Sequence, residues 1–220
     1  MLTDENIIFL LIAYLIGAFP SAVWLGRTFY NTDVREFGSG NAGATNTFRT
    51  LGAKAGIPVL LMDIIKGWIA VNLVYFITDY QLMSDERLFE LKIVFGVAAV
   101  IGHLFPVYTG FRGGKGIATM LGFMVGIYWQ AAVVSAIVFV LTFLSSKYVS
   151  LSSIIASVAF PFIVFSLPYQ QIISHQNTNS SLILFSIFVP ILSLITHQKN
   201  IERLLRREEN KAKFGKKYKS

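Results

Sequence analysis

The sequence predicts an all-α, polytopic membrane protein, and three observations carry that expectation. Of its 220 residues 54% are hydrophobic and only 14% charged, with a mean hydropathy of +0.60, whereas a soluble domain carries roughly 25% charged residues. The apolar residues gather into stretches close to the ~20 residues that a bilayer-spanning helix needs. Between them stand two glycine-rich loops with cations: Gly38-Ser39-Gly40-Asn41-Ala42-Gly43-Ala44-Thr45-Asn46 followed by Arg49, and Gly110-Phe111-Arg112-Gly113-Gly114-Lys115-Gly116.

The candidate spans are 7–29, 55–77, 90–108, 117–144, 150–168 and 181–197. The first follows Asp4 and Glu5 rather than a basic segment, so it reads as a retained span and not a signal peptide. The second contains Asp63 and Lys66, three residues apart, which can meet on one helix face; charge inside a membrane is tolerated chiefly when paired. The third ends in Gly102-His103-Leu104-Phe105-Pro106. The fourth is too long for one comfortable crossing, and Gly126-Ile127-Tyr128-Trp129-Gln130 lies near its middle. If it crosses once, Lys147 and the basic tail fall on the opposite side from Arg27, Arg35, Arg49 and Lys54. If it splits into 115–126 and 129–146, every basic cluster shares one side, as the positive-inside rule asks. The expected topology is therefore about seven transmembrane helices, N-terminus outside and C-terminus cytoplasmic. One membrane domain, 1–204, precedes a basic cytoplasmic tail, 205–220, expected to be solvated from Glu208 onward.

Charge and cysteine usage exclude several classes. With no cysteine there is no disulfide framework, thiol nucleophile or cysteine metal site. The net charge is +7, yet His197 to Ser220 alone holds nine Lys/Arg against three Glu. A basic tail beside a span is better read as a topology signal and a contact for anionic lipid than as a nucleic-acid site.

The glycine loops point to phosphate. Glycine lets several backbone N–H groups converge on one anion, and arginine and lysine add charge. Gly38, Gly40 and Gly43 match a dinucleotide-binding spacing, but no strand precedes them and Asp63 falls in a span. The second loop fails the P-loop pattern, with Thr109 where its first glycine belongs and Gly116 where Ser or Thr follows the lysine. A helix beginning at that loop would aim its positive dipole end at a bound anion. Histidine ordinarily titrates near neutrality, so His103 and His197 are candidate bases or phosphate donors, while His175 falls in an outer loop. His197 and Glu202 only loosely imitate the H-x4-D arrangement of other acyltransferases, because residues five apart do not stack on a helix. No carboxylate cluster suits a metal.

Taken together, several motifs resemble one family. They are Gly38–Asn46 with Arg49, Asp63-x-x-Lys66-Gly67, Gly102-His103-x-x-Pro106-Val107, Phe111–Gly116 with Ala118-Thr119, Tyr148-Val149-Ser150-Leu151-Ser152-Ser153, and His197-x-x-Asn200-Ile201-x-Arg203-Leu204. The family is the bacterial acyl-phosphate:glycerol-3-phosphate acyltransferases, and the resemblance runs from the first span to about Glu209. Arg112 stands where lysine is usual, Thr196 where a basic residue is common and Arg207 where glycine is frequent. The resemblance implies transfer of a fatty acyl group from acyl phosphate to the 1-hydroxyl of glycerol 3-phosphate. Lysophosphatidic acid and phosphate would form at the bacterial cytoplasmic membrane, as the first step of phospholipid synthesis. It implies no cofactor, no metal and no nucleic acid, and a soluble acyl-phosphate synthase as partner.

On that resemblance the catalytic candidates are Ser39, Arg49, Lys115, His197 and Asn200. The substrate-binding candidates are Gly38, Gly40, Asn41, Gly43, Thr45, Asn46, Lys66, His103, Arg112, Gly113, Gly114, Gly116, Ser150 and Arg203. Arg49 is expected to grip phosphate and Ser39 to position it, with Lys115 supplying a point charge and His197 and Asn200 closing the site. Either a protein base or a phosphate oxygen of the substrate takes the hydroxyl proton. The rival from another class is an anion transporter, whose broken helices also cradle charge, but transport favours related halves and this chain shows none.

Overall fold

The structure is a computed structural model and describes residues 3–167 and 180–212. The expected outer loop 169–180 with His175, except for Ser180, and the tail beyond Ala212 lie outside the described residues. All regular structure among the described residues is helical: α1 (Asp4–Ala18), α2 (Ser21–Tyr30), α3 (Ala44–Leu51), α4 (Ala53–Asn72), α5 (Asp85–Leu104), α6 (Ile117–Ser146), α7 (Val149–Ser166), α8 (Ser180–Thr196) and α9 (Gln198–Leu205). Four of these, some extended by a short 3-10 turn, are long and apolar enough to cross a membrane, or six if α1–α2 and α8–α9 each count as one bent span. Large apolar side chains face outward along them, Phe162 at 70% exposure and Leu184 at 69%, a pattern that lipid rather than water accommodates.

The first expected span, 7–29, is two helices bent by 44°. Pro20 has no N–H to donate and forces Phe19 out of helical backbone (ψ 117°). The Phe19 carbonyl accepts from the Ser21 amide at 3.0 Å and from the Lys66 ammonium at 3.1 Å. Span 55–77 is α4 continued by a 3-10 turn to Phe76. Lys92 is a second cation inside a span, near the start of α5, and donates to the Tyr75 hydroxyl at 2.6 Å.

The long fourth span breaks where the sequence places the interruption. Tyr128 leaves helical geometry (φ −150°, ψ 81°) within α6. A straight 30-residue helix would hold its ends ~45 Å apart. Instead both ends meet one cluster: Lys115 bonds Asn200, Asn200 bonds Glu209, and Glu209 bonds Ser150, just beyond the other end of α6. Between Ile117 and Tyr128, α6 packs on α4 through glycine. A Cβ on Gly122 would stand 1.8 Å from the Ile64 carbonyl oxygen, and one on Gly67 2.0 Å from that of Thr119. Such backbone approach is how helices gain dispersion contact when lipid offers no hydrophobic drive. Phe123, Phe160 and Phe185 then knit α6, α7 and α8, with ring centroids 4.4 Å apart for Phe123–Phe185 and 5.6 Å for Phe160–Phe185.

Glu209, after α9, departs from the expected solvated tail, while Glu208, Asn210 and Lys211 beside it are exposed. Glu209 is 7% exposed, and the Ala212 amide donates to the Lys147 carbonyl at 2.9 Å. Its carboxylate finds three donors on the helical body, which outweighs the polarity that made the segment read as solvent-facing.

Candidate active site

The first glycine loop is shaped by its own polar side chains. Asp33 accepts from Arg27 at 2.9 Å and from both Arg35 Nε and Nη2, at 3.1 and 2.8 Å. The Arg35 bonds hold its carboxyl well below the usual carboxylate range, and Asp33 in turn raises Arg35. Arg35 reaches the second loop as well, donating to the Thr109 carbonyl at 3.2 Å. Buried Asn46 accepts from the Ser39 amide at 2.8 Å and donates to the Val34 and Phe37 carbonyls at 2.6 and 3.1 Å. Its carboxamide is thus spent on the loop, leaving Ser39 exposed at the turn. Gly38 and Gly40 carry the positive φ values, 62° and 70°, that this turn requires. Gly43 precedes α3, which carries Thr45, Asn46 and Arg49 on a helix rather than on the loop; Asn41 lies between the two turns of the loop.

The second loop is seated on the end of α5. Gly114 N–H donates to the His103 carbonyl at 3.1 Å, so this amide is not among those open to an anion, contrary to the expectation for all three glycines. A Cβ on Gly113 would fall 2.0 Å from that carbonyl oxygen, and one on Gly114 2.1 Å from His103 Nε2. These two glycines are demanded by close packing, whereas Gly116 is demanded by its φ of +80° at the entry to α6. Arg112 is exposed on the outer side of the loop. Beneath the loop a buried cluster joins α2, α4 and α5: Ser21 donates to Asp63 Oδ1, Lys66 Nζ lies 2.9 Å from the same oxygen, and His103 Nδ1 lies 3.6 Å from it. The pairing of Asp63 with Lys66 expected from helical spacing is present. Lys66 and His103 line a small cleft, with Ala42 of the first loop and Gly113 and Gly114 of the second around its rim.

A second cluster surrounds Lys115. Its ammonium donates to Asn200 Oδ1. Asn200 Nδ2 donates to Glu209 Oε1 at 2.9 Å, Ser150 Oγ donates to the same oxygen at 3.0 Å, and Arg203 Nε donates to Oε2 at 2.7 Å. Arg49 comes in from α3, its Nη2 donating to the Asn210 carbonyl at 3.3 Å. Burial pushes Lys115 down to about 8; Glu209 opposes this, and Arg203 and Arg49 add to it. Burial would raise Glu209, but the hydrogen bonds from Arg203, Asn200 and Ser150 hold it below the ordinary glutamate range. His197 is 3% exposed at the α8–α9 bend of 65°, with Nδ1 2.9 Å from the Ser193 carbonyl. A carbonyl only accepts, so Nδ1 carries the proton and Nε2 is left as the acceptor. Glu202 lies elsewhere, paired with Arg206 at 2.7 Å.

Sequence reading named Arg49, Lys115, Ser150, Asn200 and Arg203, and the fold gathers all five. It missed Glu209, which is hidden among nine cations, and Ser21, whose contact with Asp63 depends on the unforeseen break at Pro20. Helices with lipid-facing surfaces, two contacting glycine loops and cations at one end define an integral membrane protein built to handle anions beside a bilayer.

Comparison with known proteins agrees. A family model described as glycerol-3-phosphate acyltransferase matches residues 7–207, and the chain belongs to that family. A glycerol-3-phosphate acyltransferase of Chlorobaculum tepidum is 41% identical, the match covering 99% of this chain and all of its own. Two crystal structures of PlsY (YgiH), an integral membrane glycerol 3-phosphate acyltransferase, share the fold with a TM-score of 0.79. One is the lysophosphatidic acid form, 30% identical, and the other the glycerol 3-phosphate form, 31% identical, each covering 96% of both chains.

Proposed function

We propose that this protein transfers a fatty acyl group from acyl phosphate to the 1-hydroxyl of glycerol 3-phosphate, releasing lysophosphatidic acid and phosphate. The observation that carries the reading is the convergence of Arg49, Lys115 and Arg203 with Asn200 and Ser150 beside the second glycine loop. Both substrates are phosphate esters or anhydrides with one apolar or soluble end, and this cluster offers fixed cations at the edge of lipid-facing helices. The hydroxyl oxygen of glycerol 3-phosphate attacks the acyl carbon, the bond to the phosphate oxygen breaks, and the phosphate leaves with its electron pair. A phosphate oxygen takes the hydroxyl proton. Ser150 donates to Glu209, whose carboxylate is held below the ordinary glutamate range and is therefore a weak base, which argues against an acyl-enzyme. Arg49 and Lys115 supply charge-assisted contacts to phosphate and stabilise the leaving group, Ser39 and the first loop position a substrate, and Asn200 and His197 close the site. We count both arms of α6 for seven spans and take the cluster as cytoplasmic, in the bacterial inner membrane, where a soluble acyl-phosphate synthase would deliver the donor.

The test is a parallel assay of purified protein in lipid with labelled glycerol 3-phosphate and either palmitoyl phosphate or palmitoyl-CoA. Lysophosphatidic acid from the acyl phosphate alone is expected. Arg49→Ala and Lys115→Ala should stay folded and lose at least 10²-fold in rate, the scale for removing one oxyanion-type contact. Wild-type turnover in either variant would refute the assignment, and product from the CoA ester alone would overturn the donor.

A further inference from the structure

Asp63 is the most enclosed charge in the described part of the molecule, and the chemistry above does not use it. It is 1% exposed in the middle of α4, and one carboxylate oxygen collects Ser21, Lys66 and His103. Each partner leads to a different piece of the site. Ser21 opens α2 directly after the Pro20 break, and Lys66 also holds the Phe19 carbonyl on the other side of that break. His103 ends α5, and its carbonyl and ring form the seat on which Gly113 and Gly114 rest. Lys115 is the next residue of the loop.

A buried ion pair is weak evidence for stability, because apolar residues of similar volume often serve the fold as well or better. Geometry gives this one a different task. An apolar α4 would still pack, but it would lose the polar contacts that orient the His103 ring beside Gly114 and bond the α1–α2 break to α4. From these contacts we infer that Asp63 is a positioning residue for the acyl transfer: acting through His103 and Lys66, it sets the second glycine loop and so the place of Lys115. The inference rests on the acyltransferase reading given above. It assigns Lys66 and His103 to the support of the loop rather than to contact with substrate.

The test replaces the pair by apolar side chains of similar size, Asp63→Leu with Lys66→Met, which leaves no unpaired buried charge. Kinetics in lipid are read per folded protein, together with loop order. The chain has no cysteine, so Phe111→Cys, at an exposed loop position, accepts a single spin label. The double variant should keep its fold, lose at least 10-fold in kcat/KM and narrow the label's spectrum as the loop loosens. The alkaline limb of its kcat/KM profile should move from about pH 8 toward the ordinary lysine range as Lys115 meets water; a merely structural role would leave that limb in place. If the double variant does not fold, His103→Gln and Ser21→Ala each remove one partner of Asp63 and should give smaller changes of the same kind. A folded variant with unchanged kcat/KM, pH limb and label spectrum overturns the inference. Should wild type show no acyl transfer, the label spectrum alone still decides the role of Asp63, so the two readings fail separately.

Discussion

Replacing Glu209 by glutamine tests whether the carboxylate sustains the charge on Lys115. The two are joined by the Asn200 carboxamide, which accepts from the ammonium and donates to Glu209 Oε1 at 2.9 Å. This places the charges about 6 Å apart, where unit charges at an effective dielectric near 20 interact by roughly 3 kcal/mol. Arg203 is 36% exposed in its side chain, so water reaches the cluster and about half of that, ~1.4 kcal/mol, is expected, or about one pH unit. The sign is fixed by the protonation states. Lys115 is already pushed down to about 8, and losing the anion that opposes this lowers it further, to roughly 7. Since kcat/KM reports the free enzyme, its alkaline limb should move from about pH 8 to about pH 7. At pH 8 Glu209→Gln should lose about fivefold in kcat/KM, and at pH 6 much less. Lys115→Arg is the control, because a guanidinium stays charged and removes the limb altogether. The variant also strands buried donors, costing about 1–3 kcal/mol of stability, so rates are taken per folded protein from size-exclusion fractions. A limb that stays at pH 8 or rises would refute the reasoning.

Two further predictions concern the loops. Gly114→Ala should cost about 1–3 kcal/mol by overpacking and at least 10-fold in activity, because its Cβ would meet His103 Nε2 at 2.1 Å. Gly110→Ala meets no atom within 4 Å at φ +64° and should cost only about 1 kcal/mol of backbone strain, with activity within twofold; equal losses in the two variants would show that packing on α5 is not what requires Gly114. Asn46→Ala removes three loop hydrogen bonds and should lose about 2–4 kcal/mol, measured by thermal unfolding in detergent. It should also admit protease near Ser39, and an unchanged digestion pattern would count against Asn46 as the organiser of that loop.

Much of this was legible in the chain because membrane insertion makes strong demands on sequence. Uninterrupted apolar length marks spans, and putting Lys147 and the basic tail on the side of the other cations called for a break near Gly126–Gln130, where Tyr128 leaves helical geometry. The cations beside glycine stood out for the same reason, being costly so close to lipid. What stayed hidden depends on contacts that no local pattern encodes. Pro20 sits inside an apolar run, and only the partner of the Phe19 carbonyl shows that the run is two helices. Glu209 reads as one acid among many charges until the chain doubles back and buries it. Gly113 and Gly114 look like anion-cradling residues, yet their small size serves the end of α5. Asn46 looks like a ligand and is bonded to its own loop.

The placement of Glu209 also bears on biogenesis. Synthesis runs from N- to C-terminus, and the Lys115 cluster draws on residues from α3, the loop before α6, the start of α7, α9 and the segment after α9. Every span candidate precedes that last segment. A nascent chain can therefore insert all its helices and still lack the carboxylate that neutralises Lys115 and Arg203. Half-made copies at the translocon would hold unmatched positive charge until the segment from Arg206 to Ala212 had emerged and docked.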